Sequence, residues 1–145
     1  MKVEIEINED LEEAILKIET PALTDDIKKI TDYINSIHAD VLVGEYMEKI
    51  EVINLEKIIR VFAEDKKVYA LVGEKKYILK LPLYEIEKRL GNSFLRISNS
   101  EIINVREIKS IDLDFKGTIC IFLSNGEFVY CSRRYVSIIR QKLGI

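Results

Sequence analysis

Short strand-like segments separated by polar turns fill most of this sequence, and they restrict the fold more than any other feature. Ten of them follow one another from Val41 onward: VLVGEY, KIEVI, IIRVFA, VYALVG, YILKL, FLRI, EIINV, IKSIDLDF, TICIFL and EFVYC. Segments at this spacing form hairpins, and there is no long crossover of the kind that parallel strands require. We therefore predict an α+β fold that is mostly β, with short antiparallel strands and small helices.

The N-terminal part of the chain predicts a strand and a helix placed before these segments. VEIEI near the N terminus alternates with period two, as a half-buried strand does. After Pro21 the period becomes helical, with Thr24 as N-cap and Asp25 and Asp26 in the first turn. One face of this helix carries the apolar residues Ile27, Ile30, Ile34 and Ile37. We expect an N-terminal strand-helix extension.

Two further short helices are predicted. One begins after Pro82 and ends at Gly91 as its C-cap. Its apolar residues are Leu83, Ile86 and Leu90. The other lies at the C terminus, where Ser132 is the predicted cap. Its inward-facing residues are Val136, Ile139 and Leu143.

The clearest predicted turn is Asn125–Gly126, which suits a two-residue type I′ hairpin. This turn would place Ser124 opposite Glu127 and, in the same register, Cys120 opposite Cys131. Two opposed cysteines are close enough for a redox pair, but two packed free thiols are the expectation in a reducing compartment.

The distribution of charge is uneven along the 145 residues, a length that fits one ordinary domain. Residues 1–50 carry 13 acidic and 5 basic residues, a net charge of −8, whereas residues 51–145 carry 12 acidic and 17 basic residues, a net charge of +5. A localised basic surface binds polyanions, although a solvated basic face is the alternative. Without a basic leader or an apolar run of ~18 residues, we expect a cytoplasmic protein.

The residues that enzymes and metal sites require are sparse. The one histidine, His38, has no nucleophile-elbow sequence to accompany it. One histidine and two distant cysteines do not give the ligand spacing of a zinc site. The six glycines form neither of the common phosphate-binding loops. We therefore expect a protein that is not an enzyme and has no cofactor, metal or small-molecule substrate.

Two local features favour recognition of nucleic acid. Arg133 and Arg134 fall in the first turn of the predicted terminal helix, where cations oppose the helix dipole unless an anionic partner is present. The tripeptide Ser98–Asn99–Ser100 lies between two predicted strands. An ordinary turn would explain it, but asparagine can also bind the edge of an adenine with two hydrogen bonds.

In combination these features resemble the LytTR DNA-binding domain. The resemblance is carried by LEKIIRVFAEDKKVYALV, LPLYEIEKRLG, FLRISNSEIINVREIKSI and SNGEFVYCSRRYVSIIRQKL, in this order over about two-thirds of the chain. It implies a small, mostly β domain that places loops, rather than a recognition helix, in successive major grooves of double-stranded DNA. The implied base contacts are Asn99, Arg134 and, from one further loop, Lys66 or Lys67. The implied phosphate contacts are Arg96, Ser98, Ser100, Ser132, Arg133 and Arg140.

The resemblance also implies an organisation and a set of partners. Residues 48–145 correspond to the DNA-binding domain, and residues 1–47 are too few for a receiver domain. The chain is similar to the stand-alone, response-regulator-like LytTR regulators of Firmicute-type bacteria. We expect transcriptional regulation at repeated promoter sites by a homodimer at least on DNA, with residues 1–47 in docking or dimerisation. A regulatory membrane protein is a further expected partner. The alternative is a protein-interaction module that turns its basic face to a protein or membrane-associated partner.

Overall fold

The computed structural model of the chain describes residues 1–12, 14–37, 41–114 and 116–145. The helices among these residues are α1 (Asp25–Ile37), α2 (Leu83–Arg89) and α3 (Val136–Leu143). The strands are β1 (Val41–Tyr46), β2 (Lys49–Asn54), β3 (Arg60–Glu64), β4 (Lys67–Val72), β5 (Lys75–Leu79), β6 (Phe94–Ser98), β7 (Glu101–Asn104), β8 (Ile108–Leu113), β9 (Ile119–Leu123) and β10 (Phe128–Tyr130). Each pairing between these strands is antiparallel, which confirms the predicted α+β, mostly β class.

The strands form a seven-stranded sheet in the order β2-β1-β5-β4-β3-β7-β6 and a three-stranded sheet in the order β10-β9-β8. Most neighbours are hairpins, but β1–β5 and β3–β7 join strands that are distant in sequence. In the β3–β7 pair, Phe62 lies opposite Glu101 and Arg60 lies opposite Ile103. The turn after β3 and the turn before β7 therefore lie at one end of the large sheet, which we call the turn end.

The large sheet separates two apolar cores, because successive side chains along a strand point to opposite faces. On the first face, α2 inserts Leu83 and Ile86 among side chains that include Val61 and Leu79. On the second face, the small sheet and α3 pack over β4, β3, β7 and β6. The residues of this second core are Ile59, Leu71, Leu95, Ile97, Ile103, Ile119, Ile121, Leu123, Val129, Cys131 and Ile139.

The second face of the large sheet is left uncovered at β1 and β2. Val43 lies opposite Val52 in the register of this hairpin, and Ile50 lies opposite Glu45 on the same face. Val43, Ile50 and Val52 are 55%, 69% and 68% exposed. A cluster of exposed apolar side chains on adjacent strands is typical of an interaction surface, and we refer to these three residues as the uncovered patch.

The N-terminal extension differs from the prediction at its strand. The predicted strand at VEIEI is wrong: residues 1–8 have no regular secondary structure, because no described strand pairs with them. The helix is confirmed, and Thr24 caps it by accepting a hydrogen bond from the Ile27 amide at 3.4 Å. Ile27 is buried and Ile30 and Ile34 are half-buried, so much of the predicted apolar stripe is covered. His38 lies outside the described residues.

The C-terminal hairpin is shifted by one residue from the predicted register. The Leu123 amide donates to the Glu127 carbonyl at 2.8 Å, and Cys120 lies opposite Tyr130. The hairpin loop therefore has three residues, and Gly126 supplies its positive φ of 86°. Because a shift of one residue reverses the faces, Cys120 and Cys131 do not oppose each other. Both are free thiols, and burial raises the pKa of Cys131 to about 11.

The ends of the two shorter helices also correct the prediction. Leu90, not Gly91, ends α2 in an extended conformation, and its amide donates to the Ile86 carbonyl at 2.9 Å. At the C terminus a 3₁₀ turn, Arg133–Tyr135, precedes α3, and the Ser132 side chain makes no capping hydrogen bond. The inward-facing residues of α3 are as predicted, with Val136, Ile139 and Leu143 in the second core.

Two similar segments, INLEKI and INVREI, begin at residues 53 and 103 and form equivalent turns. In each, an asparagine ends a strand and its side-chain oxygen accepts from the amide two residues on, at 3.0 Å for Asn54 and 3.1 Å for Asn104. A 3₁₀ turn follows in both. Asn104 is 1% exposed, and its Nδ2 also donates to the Ile58 carbonyl at 2.9 Å. The second segment is thereby tied to the first.

Candidate nucleic-acid interface

Three segments that are far apart in sequence meet at the turn end of the large sheet. The β3–β4 turn and the β6–β7 turn are joined by a hydrogen bond from the Ala63 amide to the Ser100 carbonyl, at 2.8 Å. The 3₁₀ turn before α3 is joined to β6 by a bond from the Ser132 amide to the Ile97 carbonyl, at 2.9 Å. These segments contain Asn99, Lys66, Lys67 and Arg134, which are the residues for which base contacts are predicted.

The β6–β7 turn is held from within and from beneath. The Ser98 hydroxyl accepts from the Ser100 amide at 3.2 Å and lies 3.3 Å from the Ser100 hydroxyl. Arg96 donates from Nε to the Ser98 carbonyl at 2.5 Å and from a terminal nitrogen to the Asn99 carbonyl at 2.6 Å. Its other terminal nitrogen donates to Glu87 of α2 at 2.5 Å. The turn that presents Asn99 is therefore fixed on a packed helix.

The 3₁₀ turn before α3 lies beside Asn99. The Tyr135 hydroxyl donates to Oδ1 of Asn99 at 3.2 Å. Arg133 and Arg134 are both exposed, while Ser132 is half-buried. Since the turn is 3₁₀ and not the first turn of α3, the two arginines precede the helix N terminus instead of lying within it.

The β3–β4 turn is a two-residue hairpin loop with left-handed backbone at both positions. Asp65 has φ of 50° and Lys66 has φ of 64°, as a type I′ turn requires. Lys66 and Lys67 are exposed, and Lys67 pairs across the hairpin with Glu64. Glu64 in turn accepts from Lys76 at 3.0 Å. The two lysines thus share their loop with two carboxylates, so this segment is less basic than the 3₁₀ turn.

A network of charges links the turn end to the small sheet. Arg60 bonds to Glu101, the first residue of β7, and its Nε donates to Glu127, the residue before β10, at 2.9 Å. The Arg60 guanidinium also lies 4.1 Å from the centre of the Phe62 ring. Burial raises the pKa of Glu101, and the neighbouring Arg60 opposes that rise. The network fixes the start of β7 immediately after Ser100.

Arg140 is placed apart from these segments. It is exposed in the last turn of α3, and its carbonyl accepts from the Ile145 amide at 3.1 Å. Its distance along the helix from the 3₁₀ turn suits a contact to the backbone of a long ligand better than a contact to the same base pair.

Sequence reasoning missed Tyr135 and Glu87. Tyr135 directly follows Arg133 and Arg134, and a half-exposed tyrosine beside a polar turn is a usable signal for a hydrogen bond. Glu87 reads as a solvated carboxylate on α2, and only the packing of α2 against β6 brings it to Arg96. The buried Asn104 was also missed as a structural residue.

No group of three or more His, Cys, Asp or Glu side chains in the described ranges could hold a metal ion. None of the helices that these residues form is long and apolar enough to cross a bilayer.

The chain is similar to a known protein family and to individual known proteins. The LytTr DNA-binding domain family matches residues 48–144. Over 146 aligned residues the chain is 35% identical to an uncharacterized HTH-type transcriptional regulator of Staphylococcus aureus strain NCTC 8325 / PS 47, with 100% of this chain and 99% of that protein covered. A protein with the same description from strain MRSA252 is 34% identical with the same coverage.

A solved structure shares the fold. A LytTr DNA-binding domain from Bacillus cereus superimposes with a TM-score of 0.70 at 33% sequence identity. The match covers 73% of this chain and 98% of that domain. The strand-and-turn architecture described above is therefore shared with a protein whose structure has been solved.

Proposed function

The chain belongs to the LytTR family of DNA-binding domains, and from that premise we propose that it is a transcriptional regulator that reads double-stranded DNA with turns placed in the major groove. One observation carries this proposal: the turn end unites Asn99, Arg134 and the Lys66–Lys67 loop, which lie far apart in sequence. Asparagine and arginine form bidentate hydrogen bonds with base edges in the major groove. The bacterial cytoplasm, where the chromosome lies, is the proposed place of action.

The arrangement of helices supports readout by turns. Five strands, β6 to β10, lie between α2 and α3. A helix-turn-helix reader needs two helices joined by a turn of a few residues, and the described residues contain no such pair. Each of these helices also commits side chains to a core, α2 through Leu83 and Ile86 and α3 through Ile139.

Proposed phosphate contacts flank the proposed base contacts. Ser98, Ser100, Ser132, Arg133 and Arg140 stay predictions from the family resemblance, and three of them, Ser100, Arg133 and Arg140, are exposed. Each phosphate neutralised releases counterions, so log affinity should fall linearly with log salt concentration by about 0.9 per contact.

Selection of preferred sites from a random duplex library, followed by affinity measurements, tests the proposal. Arg134→Ala is expected to weaken binding to the preferred site by about 1–3 kcal/mol more than binding to random DNA. Arg140→Ala is the matched control, because it removes the same exposed charge but should weaken both complexes equally and lower the salt slope by about one. Equal losses for Arg134→Ala on both duplexes would reject its role at a base.

We also propose that the chain forms a homodimer, at least on DNA, and that the uncovered patch contributes to it. Exposed apolar side chains on two adjacent strands, Val43 on β1 and Ile50 and Val52 on β2, favour a second copy as the partner.

Residues 1–47 are proposed as an extension to the DNA-binding domain of residues 48–145. This boundary falls in the β1–β2 turn, so β1 belongs to the large sheet although it precedes the boundary.

Sedimentation of the full chain over a range of concentrations tests the dimer. Val52→Lys should shift the equilibrium toward monomer, while Leu113→Lys, a change at an exposed apolar residue outside both the patch and residues 1–47, should leave it unchanged. A wild-type monomer both free and on DNA would reject the proposal. The predicted repeated promoter sites and the predicted membrane-protein regulator stay predictions.

A further inference from the structure

We propose that Arg96 and Tyr135 are positioning residues that fix the Asn99 carboxamide for recognition of one base pair. The inference rests on the proposed function and adds to it, because it assigns specificity to side chains that do not themselves touch a base. It also gives Arg96 a role different from the phosphate contact that the sequence resemblance implies.

Arg96 uses its hydrogen-bond donors on acceptors within the protein. Its side chain is only 15% exposed, and its Nε and both terminal nitrogens donate to protein acceptors at 2.5–2.6 Å. Two of those acceptors are the Ser98 and Asn99 carbonyls, the backbone on either side of the recognition residue. The planar, forked geometry of a guanidinium allows three such bonds at once, and an ammonium group cannot reproduce it. A phosphate would have to displace these bonds.

Tyr135 determines which way the Asn99 amide faces. Because its hydroxyl donates to Oδ1, the carbonyl side of the amide is held against the 3₁₀ turn. No acceptor among the described residues bonds to Nδ2, so its two N–H donors remain for a ligand. An amide held in this way presents donors to a base acceptor such as a purine N7. The second lone pair of Oδ1 can still accept from an adenine amino group.

Glu87 connects this arrangement to the core. It accepts from Arg96 at 2.5 Å, and it lies on α2 next to the fully buried Ile86. The recognition turn is thereby tied to a rigid helix before DNA is bound. A side chain that is already ordered loses less conformational entropy on binding, which favours affinity and discrimination at that contact.

The test compares variants on the preferred duplex and on duplexes changed at the base pair that Asn99→Ala identifies. Tyr135→Phe removes one hydroxyl and keeps the ring, so it should lower discrimination at that base pair by about three- to tenfold. In an Asn99→Ala background the same change should have no further effect on discrimination. Tyr130→Phe is the matched control, since Tyr130 is exposed on the small sheet.

Arg96→Lys separates positioning from phosphate binding, because it keeps the charge and loses the fork. Discrimination should fall while the salt slope and the affinity for random DNA stay at their wild-type values. Discrimination that stays at its wild-type value, with or without an equal loss of affinity on every duplex, would instead be the result for a phosphate contact, which a lysine can still make, and would overturn the part of the inference that concerns Arg96. Circular dichroism establishes that each variant is folded, and Tyr135→Phe keeps the test available if Arg96→Lys is not.

Different results would reject the proposed function and the positioning role of Arg96 and Tyr135. If the wild-type chain selects no sequence, the proposed function is rejected and this inference falls with it. If the wild-type chain selects a site but Tyr135→Phe leaves discrimination unchanged, or lowers it equally without Asn99, only the positioning role is rejected.

Discussion

One asparagine, Asn99, lies in the turn before strand β7, and another, Asn104, ends that strand, and the two side chains have different surroundings. Asn99 precedes the strand on an exposed turn, and Tyr135 is its one side-chain partner among the described residues. Asn104 ends the strand in the interior, where its side chain serves the Arg106 amide and the Ile58 carbonyl. Residue type alone therefore does not identify a recognition residue. Burial decides whether the amide is used by the fold or remains free for a partner.

Replacing the buried asparagine should produce the largest change. Asn104→Ala leaves the Ile58 carbonyl without its side-chain donor and removes the cap of the 3₁₀ turn. We expect a loss of about 2–4 kcal/mol in the free energy of unfolding, measured by urea denaturation. Asn54→Ala is the matched control, because it removes an equivalent cap at an exposed position and should cost about 1 kcal/mol. Equal losses would show that burial is not the cause.

Replacing the exposed asparagine should leave the stability almost unchanged and weaken binding to the preferred duplex. Asn99→Ala is expected to change the free energy of unfolding by no more than about 0.5 kcal/mol, as is usual for surface positions. Binding to the preferred duplex should weaken by about 1–3 kcal/mol relative to a duplex altered at the recognised base pair. Denaturation and binding measurements on the same preparation check both halves. A large loss of stability would mean that the turn is structural.

Replacing Glu101, the first residue of β7, should give the smallest effect, which is a change in how the free energy of unfolding depends on pH. Its pKa is raised by burial, so the folded state holds its proton to higher pH than the unfolded state does. The resulting stabilisation is complete below the unfolded pKa and is lost as pH rises through the folded pKa. Glu101→Gln should remove that decline, giving a free energy of unfolding that depends less on pH in the weakly acidic range. An unchanged pH profile would assign the decline to other groups.

The sequence predicted strands correctly where a strand-like segment also has another strand with which to pair. All ten predicted segments from Val41 onward contain a strand, and each of these strands pairs with a neighbour in the chain. VEIEI alternates as a strand does but pairs with no strand among the described residues, and a strand without a partner leaves its backbone groups unpaired. The Asn125–Gly126 register was wrong because asparagine is compatible with both turn types, and the third loop residue cannot be recognised from composition.

The candidate site was only partly predictable for a related reason. Exposed residues such as Arg134 and Asn99 were identified through the family resemblance, which carries the spacing of the turns. Tyr135 and Glu87 act through contacts that exist only after α2 and the 3₁₀ turn have packed beside β6. Nothing in the local sequence around Glu87 distinguishes it from a solvated carboxylate. Partners of this kind depend on tertiary distance, which periodicity does not encode.

The pairing of β3 with β7 has a kinetic consequence. Hairpins such as β4–β5 close short loops, whereas β3–β7 must bring together distant parts of the chain at a greater entropic cost. Ala63 and Ser100 meet only when that pairing is made. We therefore expect a newly synthesised chain to acquire sequence recognition late in folding. Incompletely folded molecules would then bind DNA only weakly and without preference, and would not compete with mature protein for regulatory sites.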